Sequence, residues 1–212
     1  MTELKTERRA VRLTSRGAAT RARIVRAAAD LMRVRGVNAT TLDDVRTASG
    51  TSKSQLYHHF ADKDALVRDV VDLWARSVLE REERQLQKLS SFRGLQRWRT
   101  MLVQLNSLQN GAYGCVLGSL ANELSDQNEE ARSTLAATFA TWEELIAKGL
   151  RRMQDNGSLS GDADPARLAT GLMAALQGGY MLARAARDIS AMETALDMAL
   201  DHIETYLTSS PA

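Results

Sequence analysis

Seven residues near the amino end have side chains suited to binding a polyanion. They are Thr41, Lys53, Ser54, Gln55, Tyr57, His58 and Lys63. Lysine pairs with phosphate or guanine, glutamine reads adenine, and serine bonds to either a base or the backbone. Tyr57 and His58 add a phenol and an imidazole one turn further on. None of these groups is arranged for covalent chemistry; their donors suit phosphates and base edges.

The elements that must position them can be read locally. Thr41 is a capping residue with Asp44 three positions later, an acidic variant of the capping box. Leu42, Val45 and Ala48 then fall on one apolar stripe. Gly50 supplies the left-handed residue that ends a helix. Ser52 starts the next helix, with Gln55 completing a second box. Two capped helices joined by a short glycine turn predict a helix-turn-helix, whose second helix enters the DNA major groove. Leu56 and Phe60, four apart, anchor that helix to its own domain.

Bulk composition narrows the alternatives. The chain has 212 residues, 44% hydrophobic and 25% charged, which is ordinary for a globular protein. Two prolines, few aromatics and abundant alanine, leucine and arginine favour helix. No stretch alternates as a strand would. No apolar run reaches bilayer length, and the charged N-terminus lacks a signal core. One cysteine excludes an intramolecular disulfide framework. A cytoplasmic protein without cofactor or membrane contact is the expectation. Residues 1–60 hold 12 Lys+Arg and 5 Asp+Glu, giving +7; residues 61–212 hold 16 and 21, giving −5. A basic head on an acidic body fits a DNA-binding domain joined to a regulatory domain.

The runs Ala39-Thr-Thr-Leu-Asp-Asp-Val, Ala48-Ser-Gly-Thr-Ser-Lys-Ser, Leu56-Tyr-His-His-Phe and Asp62-Lys-Asp-Ala-Leu resemble the TetR family of bacterial repressors. Arg23-Ile-Val-Arg-Ala-Ala-Ala-Asp-Leu-Met and Gly36 fit as well. The resemblance covers roughly residues 18–66. Arg46 departs from it, where a small residue is usual, and its side chain is expected to lean outward. The resemblance implies an all-α fold of about nine helices. A three-helix helix-turn-helix domain would be followed by a helical ligand-binding and dimerisation domain.

The domain reading is a flexible basic arm over 1–17, a DNA-binding domain over 18–63 and a regulatory domain over 64–208. Helical spacing predicts helices over 18–36, 62–88, 92–109, 114–124, 129–155, 164–187 and 190–207, besides the two short ones. Leu66, Val70, Leu73 or Trp74, and Val78 mark the buried stripe of the connecting helix. Leu95, Trp98, Met101, Leu102 and Leu105 point inward from the next. Asp164-Pro165 is a cap followed by proline at the first helical position.

Helix-turn-helix units act in pairs on half-sites about 34–36 Å apart. A palindromic double-stranded operator and a homodimer follow. Gly171, Gly178 and Gly179 would let another helix approach, so the last two helices are the expected interface, which the resemblance also implies. A small apolar or aromatic ligand would fit among Trp98, Met101, Leu105, Tyr113, Cys115, Trp142, Met173, Gln177 and Tyr180. No cationic cluster among the middle helices demands an anion. Gly114-Cys-Val-Leu-Gly-Ser-Leu-Ala-Asn-Glu-Leu resembles a branch of the family with electrophile- and oxidant-sensing members. Cys115 at a helix start, where a thiolate is favoured, makes a redox-sensing repressor the alternative; a small buried hydrophobe is the plainer reading. Catalysis finds no metal spacing, phosphate loop or nucleophile–base pair. A non-catalytic protein-interaction module would leave the basic, doubly capped head unexplained.

Overall fold

The computed structural model describes residues 14–108 and 114–208. The head contains α1 (Ser15–Arg35), α2 (Leu42–Ser49) and α3 (Lys53–His59); α4 (Lys63–Leu86) joins it to the body. The body continues with α5 (Phe92–Ser107), α6 (Val116–Leu124), α7 (Glu129–Asp155), α8 (Pro165–Ala186) and α9 (Ser190–Glu204). No strand occurs among the described residues; one isolated antiparallel bridge pairs Leu159 with Leu207. The fold is all-α, as the sequence predicts. The first helix begins three residues earlier than its spacing implies, because Thr14 caps it by accepting from the Gly17 N–H. Arg16 therefore belongs to a helical turn, and the rest of the basic arm, residues 1–13, lies outside the described residues.

Local signals hold the head as read. Both capping boxes are complete: Thr41 with Asp44, and Ser52 with Gln55. Gly50 has φ 62 and ψ 32, the left-handed conformation that costs glycine least. Leu56 and Phe60 are buried against Ile24, Ala28, Val45 and Leu66 in a shared core. Ala48 is exposed, contrary to the stripe expected for α2. Ser49 turns inward in its place, and its hydroxyl lies 2.8 Å from that of Thr51.

Arg21 pins three elements together. Its guanidinium donates to the His59 carbonyl at 2.8 Å, pairs with Asp69 of α4 at 2.8 Å and lies 4.4 Å from the Phe60 ring centre. Arg23 donates to the Ser49 carbonyl at 3.0 Å. From α1, Arg21 thus holds the C-terminal end of α3 and Arg23 the C-terminal end of α2.

In α4 the buried stripe runs through Leu66, Val67, Val70, Val71, Ala75 and Val78, whereas Leu73 and Trp74 are only partly buried. The charged stretch beyond Leu79 stays helical. Glu82, fully buried, accepts from the Trp98 indole N–H at 2.9 Å and from Arg81 at 2.7 Å. A buried carboxylate with two charge-assisted or indole partners is satisfied. Arg152 of α7 donates to the Leu86 and Leu89 carbonyls and closes the end of α4.

The glycines of α8 divide. A Cβ on Gly179 would stand 2.8 Å from the Met192 Cα, so this glycine lets α9 pack closely within one subunit, not between subunits. Gly171 and Gly178 have open space where a Cβ would stand. Asp164 caps α8 through Ala166 and Arg167, with Pro165 in the first turn.

Candidate nucleic-acid interface and ligand cavity

The outer face of α3 is bare. Lys53, Ser54, Gln55, Tyr57 and His58 are all exposed, and Tyr57 is 48% exposed despite its ring. Leu56 and Phe60 take the opposite face into the core, so the helix presents a polar side to solvent. Gln55 has less freedom than its type suggests. Its Oε1 accepts from the Ser52 N–H at 3.0 Å, leaving the amide N–H₂ as a donor. Two-point reading of adenine would cost the second capping box.

Thr41 is exposed beside α3, its hydroxyl hydrogen-bonded to Asp44 at 2.5 Å. Lys63 is half-buried, with Nζ 3.4 Å from the Asn38 carbonyl. Arg46 leans outward as expected and bonds Asp43 at 2.7 Å, which holds the Asp43 carboxyl below its ordinary range. His59 stays behind this surface. Burial pushes its pKa down, with His58 and Arg21 adding to the effect.

A second feature lies in the body. A cavity of about 340 Å³ sits between α6, α7 and α8. Gly114, Cys115, Gly118, Ser119 and Asn122 line it from α6 and the residues before it; Phe139 lines it from α7. Gln177, Gly178, Tyr180, Met181 and Arg184 line it from α8, recurring on one helical face. Of the nine ligand residues expected from sequence, the cavity gathers Cys115, Gln177 and Tyr180.

The others stand elsewhere. Trp98 is core, held by Glu82, and Met101 packs half-buried beside it. Leu105 is 41% exposed, because α5 ends two residues later at its surface edge. Trp142 is fully buried in α7, with its indole N–H unpartnered among the described residues. Met173 lies one turn behind the lining, its sulfur 3.6 Å from the Gln177 amide nitrogen. Tyr113 lies outside the described residues.

Cys115 stands at the N-cap position of α6 without a side-chain capping bond, and the helix start does not make it a thiolate. Burial pushes its pKa above the usual thiol range. The Gly118 and Leu117 N–H groups, Gln177 and Arg81 oppose this without overcoming it. Desolvation of a charged sulfur outweighs a few aligned amides.

Sequence reasoning missed two residues that matter here. Glu123, at the far end of α6, accepts from the Val37 N–H at 2.7 Å and the Asn38 N–H at 3.3 Å, in the turn between α1 and α2. Arg184 donates to the Ser119 hydroxyl at 2.5 Å across the cavity wall. Neither had a local signal, since each partner lies more than sixty positions away. Among the described residues no group of His, Cys, Asp or Glu is placed to hold a metal, and no helix is long and apolar enough to cross a membrane.

Known proteins share this arrangement. An HTH-type transcriptional regulator of the lacX 3′ region of Lactococcus lactis subsp. lactis is 26% identical over 187 residues, 84% of this chain and 90% of its own. The HTH-type transcriptional repressor DhaR of Mycobacterium sp. (strain GP1) is 26% identical over 149 residues, 69% of this chain and 73% of its own. The crystal structure of a TetR transcriptional regulator from Chloroflexus aurantiacus superposes with a TM-score of 0.77 at 26% identity, covering 92% of this chain and 98% of that one. Residues 24–70 match the family of bacterial regulatory proteins, tetR family, and residues 93–199 match the tetracyclin repressor-like C-terminal domain. With an exposed helix-turn-helix ahead of a helical body, and both halves matched, the chain belongs to the TetR family of DNA-binding transcriptional regulators, which are not enzymes.

Proposed function

We propose that the protein is a homodimeric repressor that grips a palindromic operator with two copies of α3 and releases it when a small molecule fills the cavity beside α6. Lys53, Ser54, Tyr57 and His58 read bases or hold the backbone, Gln55 donates through its amide, and Thr41 and Lys63 hold phosphate. The DNA-binding unit spans residues 18–63, and the regulatory and dimerisation unit spans residues 64–208. DhaR, a relative, is a repressor by name.

The observation that carries this reading is Glu123. One helix of nine residues, α6, lines the cavity at its start and bonds the head at its end. A ligand shifts an equilibrium only through different affinities for two states. Displacing α6 by binding beside Cys115 and Gly118 alters the bond to the α1–α2 turn, which gives the two states different energies.

Dimerisation is supported by an uncovered face. Gly171, Ala174, Met181 and Leu182 of α8 and Met198 of α9 are exposed, with Met198 at 67%. Small residues beside bare apolar ones suit a two-fold four-helix interface. The test is sedimentation of wild type beside Leu182→Glu/Met198→Glu. Wild type sediments as a dimer; the variant sediments as a folded monomer that no longer shifts operator DNA. A wild-type monomer, or a variant that still dimerises, contradicts the assignment.

A further inference from the structure

The cavity wall has a charge imbalance that composition alone does not reveal. Its twelve lining residues include one cation, Arg184, and no carboxylate. Arg184 bonds the neutral Ser119 hydroxyl, and no Asp or Glu lies within ion-pair distance of it among the described residues. Most arginines tied to a side chain in this body have an acid: Arg81 has Glu82, Arg99 has Asp197, Arg132 has Glu129 and Arg151 has Glu144.

A second observation is independent of that one. Tyr180 is only 8% exposed, and its hydroxyl has no hydrogen-bond partner among the described residues. Tyr180 lines the cavity, and a phenol hydroxyl there can donate or accept. Asn122 and Gln177 add amide donors to the same wall, and the N-terminus of α6 faces it. Phe139 of α7 and Met181 of α8 supply apolar surface in the same lining.

We propose that the cavity binds a small organic anion, with its charge on Arg184, an oxygen on the Tyr180 hydroxyl and an apolar body against Phe139 and Met181. This rests on the reading of the protein as a ligand-released regulator and names the class of ligand. The guanidinium offers fork-shaped donors that match a carboxylate or phosphate edge. The volume admits an aromatic ring or a medium alkyl chain beside the charged group.

The test uses matched probes on the full-length protein: benzoate, cinnamate, octanoate and phenyl phosphate, each beside neutral amide or alcohol and amine counterparts. Binding is read by calorimetry and operator release by fluorescence anisotropy. The anions bind more tightly than their counterparts and release the operator. Arg184→Gln weakens anion binding about ten- to hundredfold relative to the neutral counterparts, and Arg184→Lys restores part of it. If neutral or cationic counterparts bind as well and release the operator, the anion assignment fails while the ligand-released regulator stands. If no probe of any class binds, or all bind without release, both fail.

Discussion

Glu123 Oε2 lies 2.7 Å from the Val37 nitrogen, and this hydrogen bond, with a longer one from the Asn38 N–H, joins α6 to the turn between α1 and α2. Val37 is itself buried in the head. A buried donor that loses its partner carries the full desolvation cost. The bond therefore reports on α6 position in a way an exposed ion pair would not.

Replacing Glu123 with Ala is expected to loosen the α1–α2 turn while the body stays folded. Hydrogen exchange at the Val37 and Asn38 amides should accelerate about tenfold or more, in line with loss of a bond to a charged acceptor. Unchanged protection at both amides would show that α6 does not hold the turn.

Lys53→Ala and Tyr57→Ala test the reading surface. Neither side chain supports the core, so both variants should melt like wild type. Each should weaken operator binding, by about 1–3 kcal/mol where a base contact is lost. If Lys53 touches phosphate, its loss should also lower the salt slope by about one. Normal affinity in both variants would remove α3 from the interface.

Gly179→Val tests the close approach of α8 and α9. The added Cβ would meet the Met192 backbone at 2.8 Å, and backbone cannot step aside as a side chain can. Overpacking of this kind costs about 1–3 kcal/mol, visible as a lower midpoint in urea. Gly161→Val, where space is open, should not show this clash penalty. Equal losses at both sites would contradict the packing.

Cys115 supplies a pH prediction. Its folded pKa is raised by burial, so the thiol form is favoured in the folded state. That contribution to stability is complete below the unfolded thiol pKa and is lost as pH rises through the higher folded value. Iodoacetamide labelling of native protein at neutral pH should be slower than labelling of the urea-unfolded chain. Its rate should climb only above the ordinary thiol range. Fast labelling at neutral pH would revive the cysteine-sensor alternative.

What the sequence disclosed was local. The two capping boxes, the Gly50 turn and the Asp164-Pro165 start each lie within four residues, and each forms as read. The residues proposed to read DNA were legible as a cluster for the same reason: Lys53, Ser54, Gln55, Tyr57 and His58 lie on one short exposed helix. The cavity was not, because its wall comes from three helices. Gln177 and Tyr180 stand out as polar groups on apolar faces and Cys115 through its Gly-Cys segment, whereas Trp98 and Trp142 looked alike in sequence and proved to be core. Glu82 shows the limit plainly. It sits in a charged run that reads as solvated, yet it is the buried partner of Trp98. Arg184 and Glu123 resemble any surface charge until their distant partners are known.

The central claim is that the exposed face of α3 binds duplex DNA. It is tested most directly by titrating the purified protein against duplexes from beside its own gene at 50 and 200 mM salt. The account predicts protection of a palindrome at 50 mM salt, an affinity loss on the order of a thousandfold or more at 200 mM, and weaker binding by Lys53→Ala. Failure to bind any such duplex at 50 mM salt, or binding that neither salt nor Lys53→Ala alters, would contradict it.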